Sequence, residues 1–176
     1  VVAENNRNVF RLTGSDGLLR FFNDAGRLLR VENTGSGWNV ALTYDGDRLI
    51  SATDHAGQQL QFDYLDGRLV ALRLPGGQRV EYAYDANRNF QSVRYADGNV
   101  RSYHYNEAGH SDAHDPHALT GISDNGVRYA TFAYDAKGRA RLSQLHANGA
   151  PVERTTLVYN GDNAVTVTGD RGQTTT

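Results

Sequence analysis

The chain of 176 residues contains no cysteine. Disulfides and thiolate chemistry are therefore closed to it, and its redox surroundings leave no mark on the sequence. Methionine is also absent, even from position 1, which leads us to expect a fragment of a longer protein. Proline occurs only 3 times, too rarely for a Pro-rich linker. Lysine occurs once, at Lys137, and the net charge of −2 is spread without blocks of either sign. No cationic stripe suits a phosphate backbone, so nucleic acid is not an expected partner. No apolar run approaches the roughly 18–20 residues of a spanning helix, and no signal peptide is expected. A membrane span is not expected.

Glycine and tyrosine are plentiful, with 19 and 10 copies, and they are periodic. The stretch Arg79 to Phe90 (Arg-Val-Glu-Tyr-Ala-Tyr-Asp-Ala-Asn-Arg-Asn-Phe) reads as strand, turn, strand. Val80, Tyr82 and Tyr84 fall on one face, because successive side chains of an extended chain point to opposite sides. The same pattern recurs at Phe22, Tyr44-Asp45, Tyr64, Tyr84-Asp85, Tyr105, Tyr134-Asp135 and Tyr159, with spacings of 22, 20, 20, 21, 29 and 25 residues. Second turns lie between these anchors, such as Asp54 to Gly57, Asp97-Gly98, Asp124 to Gly126 and Asn148-Gly149. A turn about every ten residues leaves segments of strand length, too short for most helices. Gly supplies positive φ, and Asp and Asn hydrogen-bond locally. The chain is predicted to be all-β: an antiparallel meander of β-hairpin repeats forming a curved open sheet, over residues 1–176.

Two residues before the anchors stand Leu42, Phe62, Tyr82, Tyr103, Phe132 and Leu157, with Arg20 the exception. One residue before stand Thr43, Asp63, Ala83, His104 and Ala133. One face is thus apolar and aromatic, the other wetter. After the turns the alternation loosens: Leu28 to Val31, Leu49 to Ala52, Leu69 to Leu72 and Phe90 to Val93 are each three apart. Either the first residue of each pair covers the turn or a bulge lies between the two. Residues 106–121 break the period with a polar excursion, read as an inserted loop at one sheet edge.

Candidate chemistry is sparse. His110, His114 and His117, with Asp112 and Asp115, have spacings that could suit a metal. Pro116 and the loop composition oppose the helix that would align them, so a solvated loop with His117 bonded to backbone is expected instead. Ser111 beside His110 and Asp112 is no triad, because neighbouring loop residues do not converge. Pro75-Gly76-Gly77 lacks the Lys and helix of a phosphate loop. The Tyr-Asp anchors repeat, whereas an active site needs one constellation. They read as structure: each Tyr buries its ring, each Asp caps its turn, and Arg27, Arg48, Arg68, Arg88 and Arg139 lie back over the turns. No catalytic, cofactor or metal residue is expected. The aromatic ladder of Phe62, Tyr64, Tyr82, Tyr84, Tyr103 and Tyr105 packs on its own sheet or offers a platform for carbohydrate or a partner protein.

The units Tyr44-Asp45-Gly46-Asp47-Arg48-Leu49 and Tyr134-Asp135-Ala136-Lys137-Gly138-Arg139 resemble the Tyr-Asp-x-x-Gly-Arg-Leu repeat of the Rhs/YD-repeat family. The run Pro116 to Ile122, followed by Asn125 to Asp135, is similar to a stretch of bacterial Rhs cores. The resemblance implies a spiralling β-shell that encloses a toxic C-terminal domain. It also implies a secreted effector, delivered by type VI secretion or within insecticidal toxin complexes, with the rest of the shell and its cargo as partners. The family's aspartyl-protease-like segment is not matched, since Asp115-Pro116 is followed by His117-Ala118, so self-cleavage does not carry over. Strands about 4.8 Å apart give seven repeats roughly 70 Å of sheet. That is about half of the ~140 Å needed around a ~100-residue guest of radius of gyration about 13 Å. Exposed end strands favour self-association.

Overall fold

The computed structural model describes residues 2–4, 7–161 and 164–176. Among them every regular element is a strand, and none is a helix. The chain divides into two compact units, Val1–Val80 and Glu81–Thr176. The first holds β1 (Val2–Glu4), β2 (Arg7–Thr13), β3 (Leu18–Phe22), β4 (Leu28–Asn33), β5 (Asn39–Asp45), β6 (Arg48–Asp54), β7 (Gln59–Leu65) and β8 (Arg68–Arg73). Each pairs antiparallel with the next. From Glu81 onward, β9 (Arg79–Tyr84) opens the second unit. There β10 (Phe90–Arg94), β11 (Val100–Tyr105), β12 (Leu119–Asp124), β13 (Val127–Tyr134), β14 (Ala140–Ala147), β15 (Ala150–Asn160), β16 (Ala164–Thr168) and β17 (Thr174–Thr175) follow in the same antiparallel order. Each unit is the hairpin meander that the turn spacing predicts.

Two kinds of turn make the corners. In the first, the opening residue donates its N–H to the carbonyl four residues on and accepts from the N–H three on, as Asn23, Asp54, Asp85 and Asp135 do. Their side-chain Oδ1 atoms accept a further N–H from the residue four on, at 2.8–3.0 Å. The second kind is a two-residue tip with left-handed φ at both positions: Asp66-Gly67 at 48° and 81°, Asn125-Gly126 at 48° and 81°, and Asn148-Gly149 at 51° and 81°. This geometry matches strand twist and selects Asn-Gly and Asp-Gly. Arg88 occupies the left-handed position of the first kind of turn, φ 72°, where its counterparts use glycine.

The three-residue spacing after the anchors is a bulge. Tyr44 faces Leu49 and Thr43 faces Ser51, which leaves Ile50 extra. The same slip leaves Leu29, Val70, Gln91, Thr120 and Arg141 extra on their strands. Covering of the turn by the first residue of each pair is not needed to explain the pattern.

Burial departs from the two-faced expectation. The anchor tyrosines and the residues two before them are half-buried, whereas Ser51, Ala71, Thr131 and Ala133, on the face read as wetter, are buried. Long neighbours close over small side chains there. Ala71, fully buried, sits opposite Asp63 and two residues before Arg73, and those two are joined at 2.8 Å. Residues 119–121, read with the excursion from sequence, are the first residues of β12, and β12 lies between β11 and β13 rather than at a sheet edge.

Candidate functional site

The anchor tyrosines share one bond. The hydroxyls of Tyr44, Tyr64, Tyr105, Tyr134 and Tyr159 donate to the carbonyls of Leu28, Leu49, Phe90, Leu119 and Ala140, at 2.9–3.0 Å. Each acceptor opens the strand that returns from the preceding anchor turn, as its first residue or, for Leu49 of β6, its second. There the bulge interrupts the ladder and frees a carbonyl, so the tyrosine satisfies a group that pleating leaves over. Burial raises the Tyr105 and Tyr134 pKa values above the ordinary phenol range. Both hydroxyls therefore keep their protons as donors. Tyr84 packs edge-on to Phe90 at 5.7 Å.

The aspartates of the anchors are not equivalent. Asp135 caps its turn, and its hydrogen bond to Arg139 holds its carboxyl below the usual range. Burial works against Asp85, but hydrogen bonds from Asn89 outweigh it and its pKa is also lowered. Asp45 instead pairs with Arg48 beside a two-residue tip. Only some arginines lie over their own turns. Arg139 does, with Nε 2.8 Å from Asp135, and its guanidinium also covers the Tyr159 ring at 3.9 Å. Arg27 reaches forward to Gly46 and Asp47 and lies 5.1 Å from the Tyr44 ring, while Arg48 lies 5.9 Å from Tyr64. The reason is the corner. Arg27 follows a neutral Asn23, and Arg48 flanks a tip with no cap to return to. Such stacking contributes about 0.5–1 kcal/mol at exposed sites.

The excursion is an enlarged anchor turn. Asn106 donates its N–H to the Ala118 carbonyl at 3.0 Å, the closing bond that Asp85 makes to Asn89 in an ordinary turn. It is pinned rather than freely solvated. His117 Nδ1 lies 2.6 Å from Asn89 Oδ1. The Asn89 amide donates to Asp85 Oδ2 and to the Pro116 carbonyl, which turns its oxygen toward His117 and places the imidazole proton on Nδ1. The side chain of His117 thus bonds a side chain, not backbone as expected. Arg141 donates to the Gly109 carbonyl at 2.7 Å, and Ser111 bridges to Tyr134. Ser111 Oγ is buried without a hydrogen-bond partner, so it makes no bond to His110. Among the described residues, no group of three or more His, Asp or Glu is placed to hold a metal ion.

At the root of the excursion lies a polar cluster that sequence spacing did not single out. Arg128 grips Glu107 with two parallel bonds of 3.1 and 2.7 Å, and donates to the Thr120 carbonyl and to Thr131 Oγ1. Thr120, fully buried, donates to Glu107 at 2.8 Å. Thr131 lies 3.0 Å from His146 Nε2, and His146 Nδ1 lies 3.3 Å from the Gly149 carbonyl. A Cβ on Gly121 would come within 2.0 Å of Arg128 Cζ, so the guanidinium rests on a bare backbone. Burial alone would raise the Glu107 pKa, but hydrogen bonds from Arg128 and Thr120 outweigh it and the net shift is downward. Each residue of the run Pro116 to Gly121 has a partner: Pro116 and His117 meet Asn89, the Ala118 carbonyl accepts from Asn106, the Leu119 carbonyl accepts from Tyr134, and Thr120 and Gly121 belong to the cluster. Glu107 and Arg128 were missed because partners so far apart in sequence carry no local period. Nearby, the aromatic ladder centres on Phe90, which was not counted in it, with Tyr82 and Tyr103 at 6.0 and 5.2 Å.

Residues 65–100 match the family model described as RHS Repeat. Over 167 residues the chain is 30% identical to the double-stranded DNA deaminase toxin A of Burkholderia cenocepacia, covering 89% of this chain and 11% of that protein. The chain thus spans about a tenth of the length of this curated relative (11%). Similar solved structures include the Tc holotoxin pore of Photorhabdus luminescens (TM-score 0.43, 14% identity, 86% of this chain and 11% of that one). Another is the TcdB2-TccC3 complex (TM-score 0.44, 13% identity, 85% of this chain and 12% of that one).

Proposed function

We propose, from the premise that this chain carries the repeat of the Rhs/YD-repeat family, that it is a wall segment of a β-shell enclosing a C-terminal toxin domain. The observation that carries the reading is the single bond repeated at five anchors, tyrosine hydroxyl to the carbonyl freed by the preceding bulge. A wall needs the same joint at every corner, and a catalyst does not. The segment therefore acts by position, without chemistry of its own. Its partners are the remaining shell and the cargo, within a secreted polymorphic toxin delivered by type VI secretion or an insecticidal complex.

The test uses the longer natural protein that contains this segment. Limited proteolysis of its C-terminal domain should be slow in the wild type and should accelerate when Tyr105 and Tyr134 are both changed to Ala. Equal digestion rates in the two proteins, or a C-terminal domain as accessible as the same domain expressed alone, would overturn the reading.

A further inference from the structure

We propose that Asn148-Gly149, the tip of the β14–β15 hairpin, is a site of spontaneous backbone modification through a cyclic imide, and that two other Asn-Gly pairs in the chain are protected. The three pairs are Asn125-Gly126, Asn148-Gly149 and Asn160-Gly161. In each, glycine lacks the Cβ that would hinder attack by its own nitrogen. The chemistry requires that nitrogen to reach the Asn Cγ. The glycine nitrogen loses its proton to water as its bond to Cγ forms. The Cγ–Nδ2 bond breaks, ammonia leaves, and a five-membered imide remains. Water then opens either carbonyl, giving aspartate or isoaspartate. The net exchange is water for ammonia, and nothing is oxidised or reduced.

Hydrogen bonds on the amide decide which pair reacts. Asn125 is locked twice: its Oδ1 accepts the Val100 N–H at 2.8 Å and its Nδ2 donates to Asn99 Oδ1 at 2.8 Å. Asn160 is held once, through Nδ2 to Thr166 Oγ1 at 2.7 Å. Asn148 is exposed, and among the described residues its side chain makes no hydrogen bond. Its surroundings also yield more readily. The flanking Ala147 and Ala150 are exposed, and residues 150–154 of β15 pair only with β14, because β16 begins its pairing at Thr156. A corner with few buried contacts and one free flank opens locally at low cost. The described side-chain contact of the tip is His146 Nδ1 to the Gly149 carbonyl, at 3.3 Å. Isoaspartate would add a methylene to a two-residue corner and unseat the register from Ala147 to Leu145.

The intact chain is incubated at mildly alkaline pH, and peptide mapping follows amide-to-acid conversion at the three asparagines, with isoaspartate methyltransferase labelling. The same mapping in denaturant gives the unfolded rates. Relative to those, Asn148 should react about tenfold faster than Asn125 or more, with Asn160 between them. Asn148→Gln should abolish the dominant product, and Asn99→Ala, which removes one lock, should raise the Asn125 rate. Folded rates in the same ratio as the denatured ones, or Asn125 reacting first, would overturn the proposal.

Discussion

The β5–β8 hairpins and the β11–β13 hairpins use the same tyrosine joint but bury different things. In β5–β8 the buried side chains are Ser51 and Ala71, and the bulge residues Ile50 and Val70 face outward or half outward. In β11–β13 the bulge residue is Thr120, fully buried and bonded to Glu107, with Ser123, Ala130, Thr131 and Ala133 buried around it. Enlarging one anchor turn brought a carboxylate over the sheet, and an arginine from the next hairpin came with it. A repeat thus gains a specific polar core without losing its joint: Tyr134 still donates to Leu119 across the enlarged corner, as Tyr64 does to Leu49 across a short one.

The sharpest way to break this contrast is Gly121→Ala. The new Cβ displaces Arg128 and leaves Glu107 partly buried, still bonded to Thr120 but without its arginine. A loss of about 2–3 kcal/mol is expected, after allowing for partial solvent access. Hydrogen exchange should report it in β11–β13 while β5–β8 stay protected. Next in size, Tyr134→Phe and Tyr64→Phe should each cost about 1 kcal/mol, because each leaves one carbonyl without its donor. Similar costs in thermal unfolding would show that the joint is the shared component; a much larger cost at Tyr134 would tie the joint to the polar cluster.

Acid should separate the regions further. The folded pKa of Glu107 is lowered, so its contribution is full above the ordinary carboxylate value and is lost as pH falls through the folded value. In the first unit, Asp16 is held down to about 2 by hydrogen bonds from Arg20 and the Leu18 N–H, so its contribution persists until pH falls toward that value. Arg128→Gln should therefore shrink the acid sensitivity of β11–β13 and leave that of the β2–β3 hairpin unchanged, followed by NMR through a pH titration. The smallest effect is expected of Arg139→Gln, which removes an exposed ion pair and a stacked guanidinium and should cost below about 1 kcal/mol in denaturant unfolding.

Much of the fold was legible because its rules are local. Spaced Gly, Asp and Asn place the corners, and alternation places the strands. The three-residue gaps after the anchors allowed either a covered turn or a bulge, and pairing decided for the bulge. The hydroxyl acceptors were not legible, since a tyrosine in sequence says nothing about which strand its ring crosses. Nor did arginine spacing reveal that Arg27 and Arg48 reach forward to the next anchor. The excursion was visible as a broken period, but His117 was expected on backbone and sits instead on Asn89 of another hairpin.

By itself the amino-acid order determined the class of element, the corners and the repeat, because those depend on φ preferences and side-chain alternation over a few neighbours. Only the tertiary structure decided that small residues of the polar face such as Ser51 and Ala71 are buried, and that Glu107 meets Arg128 above Gly121. Both outcomes depend on how long side chains from different hairpins fold over one another, and no local preference encodes that.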